Sequence, residues 1–111
     1  MLDEEKNKIY ERIEKEYTDF KNETLKMSPE EIYNSYYVIS FYEDFYEYLT
    51  TEQTNIDLEK LPKENIFETI YEAFIDLDNA VFSWQTYEEL IKDNAEYMEL
   101  NKWQTKKLYW H

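Results

Sequence analysis

Glycine is absent from this 111-residue sequence. Turns of types II, I′ and II′ therefore lose their usual residue, and tight β-hairpins with them. Asn and Asp are left to supply any left-handed position. Proline occurs twice, at Pro29 and Pro62, both at plausible helix boundaries. Cysteine is absent too, which excludes disulfides, thiolate metal ligands and a cysteine nucleophile. The single histidine is His111 and the single arginine is Arg12. No Ser/His or Cys/His pair can be assembled within the body of the chain, and no glycine-rich phosphate loop can form. A His-dependent metal site fails for the same reason. The expectation is a protein without enzymatic activity, cofactor or metal. No run of about 18 apolar residues exists, so no membrane-spanning helix is expected. The opening MLDEEKNK is polar and acidic, unlike a secretory signal, and the expected location is the cytoplasm of a bacterial host cell.

Carboxylates and aromatic rings are abundant. There are 26 acids against 12 bases, a net charge of -14. Three of the bases, Lys102, Lys106 and Lys107, lie in residues 101–111, where there is no acid. Residues 1–100 thus hold 26 acids and 9 bases, a balance of -17. Eight acids and no base lie between Lys26 and Lys60, and seven acids and no base between Lys63 and Lys92. Nucleic acid and anionic membranes should repel such a chain, and basic protein surfaces should attract it. Aromatic residues make up 19% of the sequence, too many for a disordered acidic tail. A folded all-α domain follows.

Helical periodicity organises the chain as a single-domain bundle of about four helices. The first spans about Asp3 to Lys26, with Ile9, Ile13, Tyr17 and Phe20 on one stripe. The second opens at SPEE, where Ser28 can cap, Pro29 fits the first helical position and Glu31 completes a capping box. It is expected to run unbroken to about Leu49 as the central helix. A connection follows, with a short turn over Ile56–Lys60. The third helix is expected over Lys63–Val81, with Ile66, Ile70, Phe74 and Leu77 in the core. SWQT then interrupts, and Thr86 with Glu89 forms a second capping box for a last helix whose stripe uses Tyr87, Leu90, Ile91, Asn94, Tyr97 and Met98. Residues 101–111, with KWQTKKLYWH, are expected as an arm folding back on the acidic body or as a frayed helix end.

Within ENIFETIYEAFIDLD, the residues Glu64, Glu68, Glu72 and Asp76 fall at steps of four. On one helix they form a row of carboxylates about 6 Å apart, which repel each other by a few tenths of a kcal/mol per pair. Two readings stand. The row is the solvated face of an amphipathic helix, or it presents phosphate-like charge to a basic groove, with Glu43, Asp44 and Glu47 extending the surface. The crowded tyrosines, Tyr36, Tyr37, Tyr42, Tyr46 and Tyr48, divide likewise between core filling and an exposed binding spot.

The stretch MSPEEIYNSYYVISFYEDFYEYL resembles the signature of domain of unknown function family 3848. The matching positions are Pro29, Glu30, Glu31 and Ile32, then Tyr36 and Tyr37, then Glu43 and Asp44, within residues 5–50. Ser35 and Phe45 depart from the small apolar and aliphatic residues of that pattern. The family has no assigned activity. Its members belong to phages and mobile elements, so the resemblance implies a small acidic protein that acts on the host. Small acidic proteins of such elements are also similar to anti-CRISPR and anti-restriction inhibitors, which occupy a nucleic-acid groove. The expected function is an inhibitor of that DNA-mimic kind. The alternative is a helical adaptor or complex subunit whose acidity serves only solubility.

Overall fold

The computed structural model describes residues 3–51 and 56–109, with side chains as far as Leu100. Five α-helices, α1 (Asp3–Leu25), α2 (Pro29–Asn34), α3 (Tyr36–Thr50), α4 (Ile66–Ile75) and α5 (Trp84–Tyr109), and a 3-10 turn at Leu58–Lys60 make up its regular structure. There is no strand among the described residues. The chain is all-α.

α1 begins with Asp3, Glu4 and Glu5 in its first turn, where negative charge meets the positive end of the helix dipole. The Ser28 capping box is formed: the Glu31 N–H donates to Ser28 Oγ at 3.2 Å, and the Ser28 N–H donates to Glu31 Oε1 at 3.4 Å. The helix it opens is not continuous. α2 ends at Asn34, Ser35 takes φ -100° and ψ 12°, and α3 starts afresh at Tyr36. Asn34-Ser35 is the one pair of adjacent short polar residues in this stretch, types whose side chains favour helix ends over interiors. The Ser35 N–H still donates to Glu31 O and Ile32 O, so the break is a bend.

α4 is much shorter than its hydrophobic period. Asn65 adopts the left-handed conformation, φ 51° and ψ 56°, and no other non-glycine residue among those described has positive φ. Asn tolerates this region better than most residues. The turn leaves Lys63 and Glu64 outside the helix. Its other end falls at Asp76, where Asp76 and Asp78 oppose the helix dipole. Leu77, expected in the core, is exposed.

α5 begins earlier than expected. Ser83 Oγ accepts from the Thr86 N–H at 3.2 Å, so SWQT is the start of the helix and not an interruption. The helical backbone then runs through 101–109, most of the segment expected as an arm or frayed end. Tyr97 and Met98, placed on the stripe of this helix, are exposed.

The core is one cluster: Ile13 from α1, Phe41, Phe45, Tyr48 and Leu49 from α3, Leu58 and Leu61 from the connection, Ile66, Phe67, Ile70 and Phe74 from α4, and Tyr87, Leu90 and Ile91 from α5. α1 packs on α3 and α4, α3 on α4 and α5, and α4 on α5. Arg12 ties α1 to the connection by donating to Pro62 O at 2.7 Å.

Candidate interaction surface: carboxylates around an aromatic stack

Where α1, α3 and α4 meet, five rings lie nearly parallel. Phe20 stacks on Tyr42 (3.8 Å between centroids, 12° between planes), Tyr42 on Phe67 (5.1 Å, 16°), Phe67 on Tyr17 (6.2 Å, 23°) and Tyr17 on Tyr46 (4.0 Å, 11°). The register of α1 and α3 produces this. Tyr17 and Phe20 are three apart and Tyr42 and Tyr46 four apart, so each pair lies on one face of its helix.

Carboxylates edge the stack. Tyr46 donates to Glu14 Oε1 at 2.6 Å. This bond, and burial after it, pushes the Tyr46 hydroxyl up to about 12. Burial, then the charges of Glu68 and Glu16, raises Tyr42 to about 12. Burial and the Glu43 charge raise Tyr17. Glu16 has a further role: its Oε1 accepts the Phe67 N–H at 3.1 Å. Asn65 supplies no side-chain cap to α4, so a residue of α1 satisfies one of the free amides of the α4 N-terminus.

The expected site residues are thereby distributed. Glu68 and Glu72 lie on α4, Glu64 precedes it on the bent connection, and Asp76 is its C-terminal cap residue. The row of four on one helix is reduced to two helical positions and two flanking ones. All four side chains are exposed, as are Glu43 and Glu47 on α3. Glu43 and Glu68 each act on a ring of the stack, Glu43 on Tyr17 and Glu68 on Tyr42; no contact among the described residues ties Glu47, Glu64, Glu72 or Asp76 to it. Asp44 is different. It is half-buried and accepts the Tyr87 hydroxyl at 2.5 Å, so it serves the α3–α5 contact. Glu14 and Glu16 were missed by sequence reading. Their charges alternate with lysines along α1, which reads as an ordinary solvated face.

Two ion pairs occur among the described residues, Lys15–Asp19 at 2.7 Å and Lys26–Glu23 at 3.1 Å, both exposed. None involves Glu43, Glu47, Glu64, Glu68, Glu72 or Asp76. A surface hollow lined by Asn7, Tyr10, Glu11 and Glu14 is open to solvent and holds no nucleophile with a base. No group of His, Cys, Asp and Glu among the described residues is placed to hold a metal ion. No described helix is long and apolar enough to cross a membrane.

A second surface is apolar. Tyr37 packs its ring on Phe82 at 5.3 Å and Phe74 at 5.9 Å, yet remains exposed, with Phe82 beside it and Tyr33 and Tyr36 on the adjoining turns. The tyrosines therefore divide: Tyr48 is buried, Tyr42 and Tyr46 are half-buried, and Tyr36 and Tyr37 face solvent.

No protein-family model, curated protein or solved structure matches this chain.

Proposed function

We propose that this is a non-enzymatic binding protein whose carboxylate-bearing helices occupy a basic, nucleic-acid-binding surface of a partner protein. The observation that carries this reading is the set Glu43, Glu47, Glu64, Glu68, Glu72 and Asp76: exposed, carried by or flanking packed helices, and in no ion pair among the described residues. Helices fixed by a common core present such charge with little ordering left to do on binding. An arginine-rich groove is the complementary surface, because guanidinium groups bind carboxylates as they bind phosphates. The resemblance of residues 5–50 to a family of phages and mobile elements directs the reading to a bacterial defence nuclease, with the chain acting as an anti-CRISPR or anti-restriction inhibitor in the host cytoplasm. Asp44, engaged with Tyr87, is left out of the contact set.

The test uses immobilised protein and host lysate at low and high salt, with duplex DNA as competitor. The comparison protein carries Glu43→Gln, Glu47→Gln, Glu64→Gln, Glu68→Gln, Glu72→Gln and Asp76→Asn. The expected result is capture of a nucleic-acid-binding protein that DNA displaces, that high salt releases, and that the neutralised variant fails to hold. Capture that resists salt and DNA and survives neutralisation overturns the reading. The exposed group of Tyr33, Tyr36, Tyr37 and Phe82 favours the second reading, a helical adaptor or complex subunit, in that case.

A further inference from the structure

The buried stripe of α3 comes to the surface at its N-terminal end. Phe41 and Phe45 are fully buried. Tyr37, one turn before Phe41, is exposed, although its ring meets those of Tyr71, Phe74 and Phe82 at 6.5, 5.9 and 5.3 Å. Tyr33, one turn earlier again, is 81% exposed, and Tyr36, three residues from it, is 70% exposed. The bend at Ser35 does not separate these tyrosines. The Ser35 N–H still donates to Glu31 O and the Ile39 N–H to Ser35 O, so residues three and four apart remain neighbours on the helical path. The loop from α4 to α5 adds to this face. Phe82 lies 5.2 Å from Phe74 and beside Tyr37, and Val81 next to it is 58% exposed. Apolar residues exposed singly are ordinary, whereas a contiguous group of them marks a contact surface.

The charge around this patch has one sign. Glu30 precedes Tyr33 by three residues and Tyr37 by seven, which places it on their side of the helical path. Asp76 and Asp78 lie in the loop whose two ends are joined by the contact of Phe74 with Phe82. All three acids are exposed, and none is in an ion pair among the described residues. No base occurs between Lys26 and Lys60, the stretch that carries the tyrosines, or between Lys63 and Lys92, the stretch that carries the loop. We infer that this patch docks a basic amphipathic segment of a partner protein, with apolar side chains against the rings and Lys or Arg against the carboxylates. Charge selects that occupant. A second copy of a -14 chain brings like charge to the contact, and nucleic acid and anionic lipid are repelled in the same way. The ring chemistry agrees with it. Tyrosine faces attract ammonium and guanidinium groups, which an aliphatic patch does not. Elsewhere on the protein Lys21 Nζ already sits 5.6 Å from the centre of the Tyr17 ring. The patch shares only Asp76 with the carboxylate set of the proposed function and does not depend on it.

The probe is a fluorescently labelled peptide of leucine and lysine at helical spacing, read by anisotropy with the full chain. An all-lysine peptide and a leucine–glutamate peptide are the comparisons. The chain should bind the leucine–lysine peptide, release the all-lysine peptide at a salt concentration that the first withstands, and leave the leucine–glutamate peptide free. Tyr33→Ala with Tyr36→Ala should weaken leucine–lysine binding roughly tenfold or more and leave all-lysine binding unchanged. Circular dichroism should show the same helix content, since both side chains face solvent. Glu30→Gln with Asp78→Asn, which spares Asp76 and the capping Glu31, should weaken the same complex less and flatten its salt dependence. Leucine–lysine binding that is absent, or indifferent to the tyrosine pair, overturns the proposal. It leaves the carboxylate reading standing, because that variant keeps Glu43, Glu47, Glu64, Glu68, Glu72 and Asp76. Equal binding of the leucine–glutamate peptide overturns the selection by charge. A dimer in sedimentation that the tyrosine pair abolishes gives the surface to a second copy, and binding to neutral lipid vesicles that the pair abolishes gives it to a membrane; either result overturns the proposal.

Discussion

Around Tyr87 the aromatic rings meet tilted or edge-on: 87° with Phe41, 69° with Phe45, 60° with Tyr48 and 46° with Phe74. On the α1 side of the same helices they lie flat, each within 23° of the next from Phe20 to Tyr46. Buried rings meet in both ways: Phe41 and Tyr87 edge-on, Phe41 and Phe45 stacked at 21°, and both offset-stacked and edge-to-face arrangements suit their quadrupoles. Rings laid between neighbouring helices are layered by the spacing of those helices. Both groups contain a tyrosine hydroxyl that donates to a carboxylate, Tyr87 to Asp44 and Tyr46 to Glu14. The Tyr87 side chain is fully buried while Tyr46 is only half-buried. The same chemical pair should therefore matter to folding in the interior and scarcely at all at the outer stack.

The strongest way to break the contrast is Phe41→Ala. Phe41 touches Phe45, Phe74 and Tyr87 and is fully buried. The expected loss is about 3–5 kcal/mol, measured by chemical denaturation; a loss below that of any outer-stack substitution would erase the distinction. Alkaline pH comes next, because it acts on both groups at once. Tyr42 and Tyr46 are raised from 10.0 to about 12, and Tyr87 is raised by burial first and Asp44 second. Folding thus favours the neutral hydroxyls. Their contribution is complete below pH 10 and is lost as pH climbs from 10 towards 12 and beyond. Melts at stepped pH should show that fall, and tyrosinate absorbance should lag behind that of the urea-unfolded chain. Coincident titration of the two states would refute the sign.

Asp44→Ala follows. It strands the buried Tyr87 hydroxyl and should cost about 1–3 kcal/mol, with Asp44→Asn recovering part because it still accepts. Equal stability of Asp44→Ala and the wild type would return Asp44 to the set of free surface acids. Tyr46→Phe is the smallest effect, about 0.5 kcal/mol or less, since its partner is exposed and water replaces the bond. A larger loss than that of Asp44→Ala would invert the comparison.

Local signals in the sequence carried far, and contacts between helices did not. The span of α1 and the Ser28 capping box were legible because their determinants lie within a few residues of each other. The all-α class followed from absent glycine and helical periodicity. The start of α4 was not legible, because it depends on a left-handed Asn65 and a cap from Glu16 on another helix. Leu77, Tyr97 and Met98 continue apolar stripes past the point where the body covers them, and periodicity cannot register where a neighbour stops. Asp44 sits among surface acids in the sequence, and only the position of Tyr87 distinguishes it. Ser83 precedes Thr86 by one helical turn and captured the α5 start that Thr86-Glu89 also fits.

The Glu16 contact also has a temporal side. It joins residues 51 positions apart, so the first turn of α4 has no cap until α1 has docked. A 10-residue helix is below the length that holds by itself in water. α4 must then form as a late partner of α1 and not as a seed for it, and closing so long a loop slows that event. Glu16→Ala should accelerate unfolding more than it retards folding. Stopped-flow rates across a denaturant series would show this as a shift of the unfolding limb, and a shift confined to the folding limb would place α4 in the folding nucleus instead.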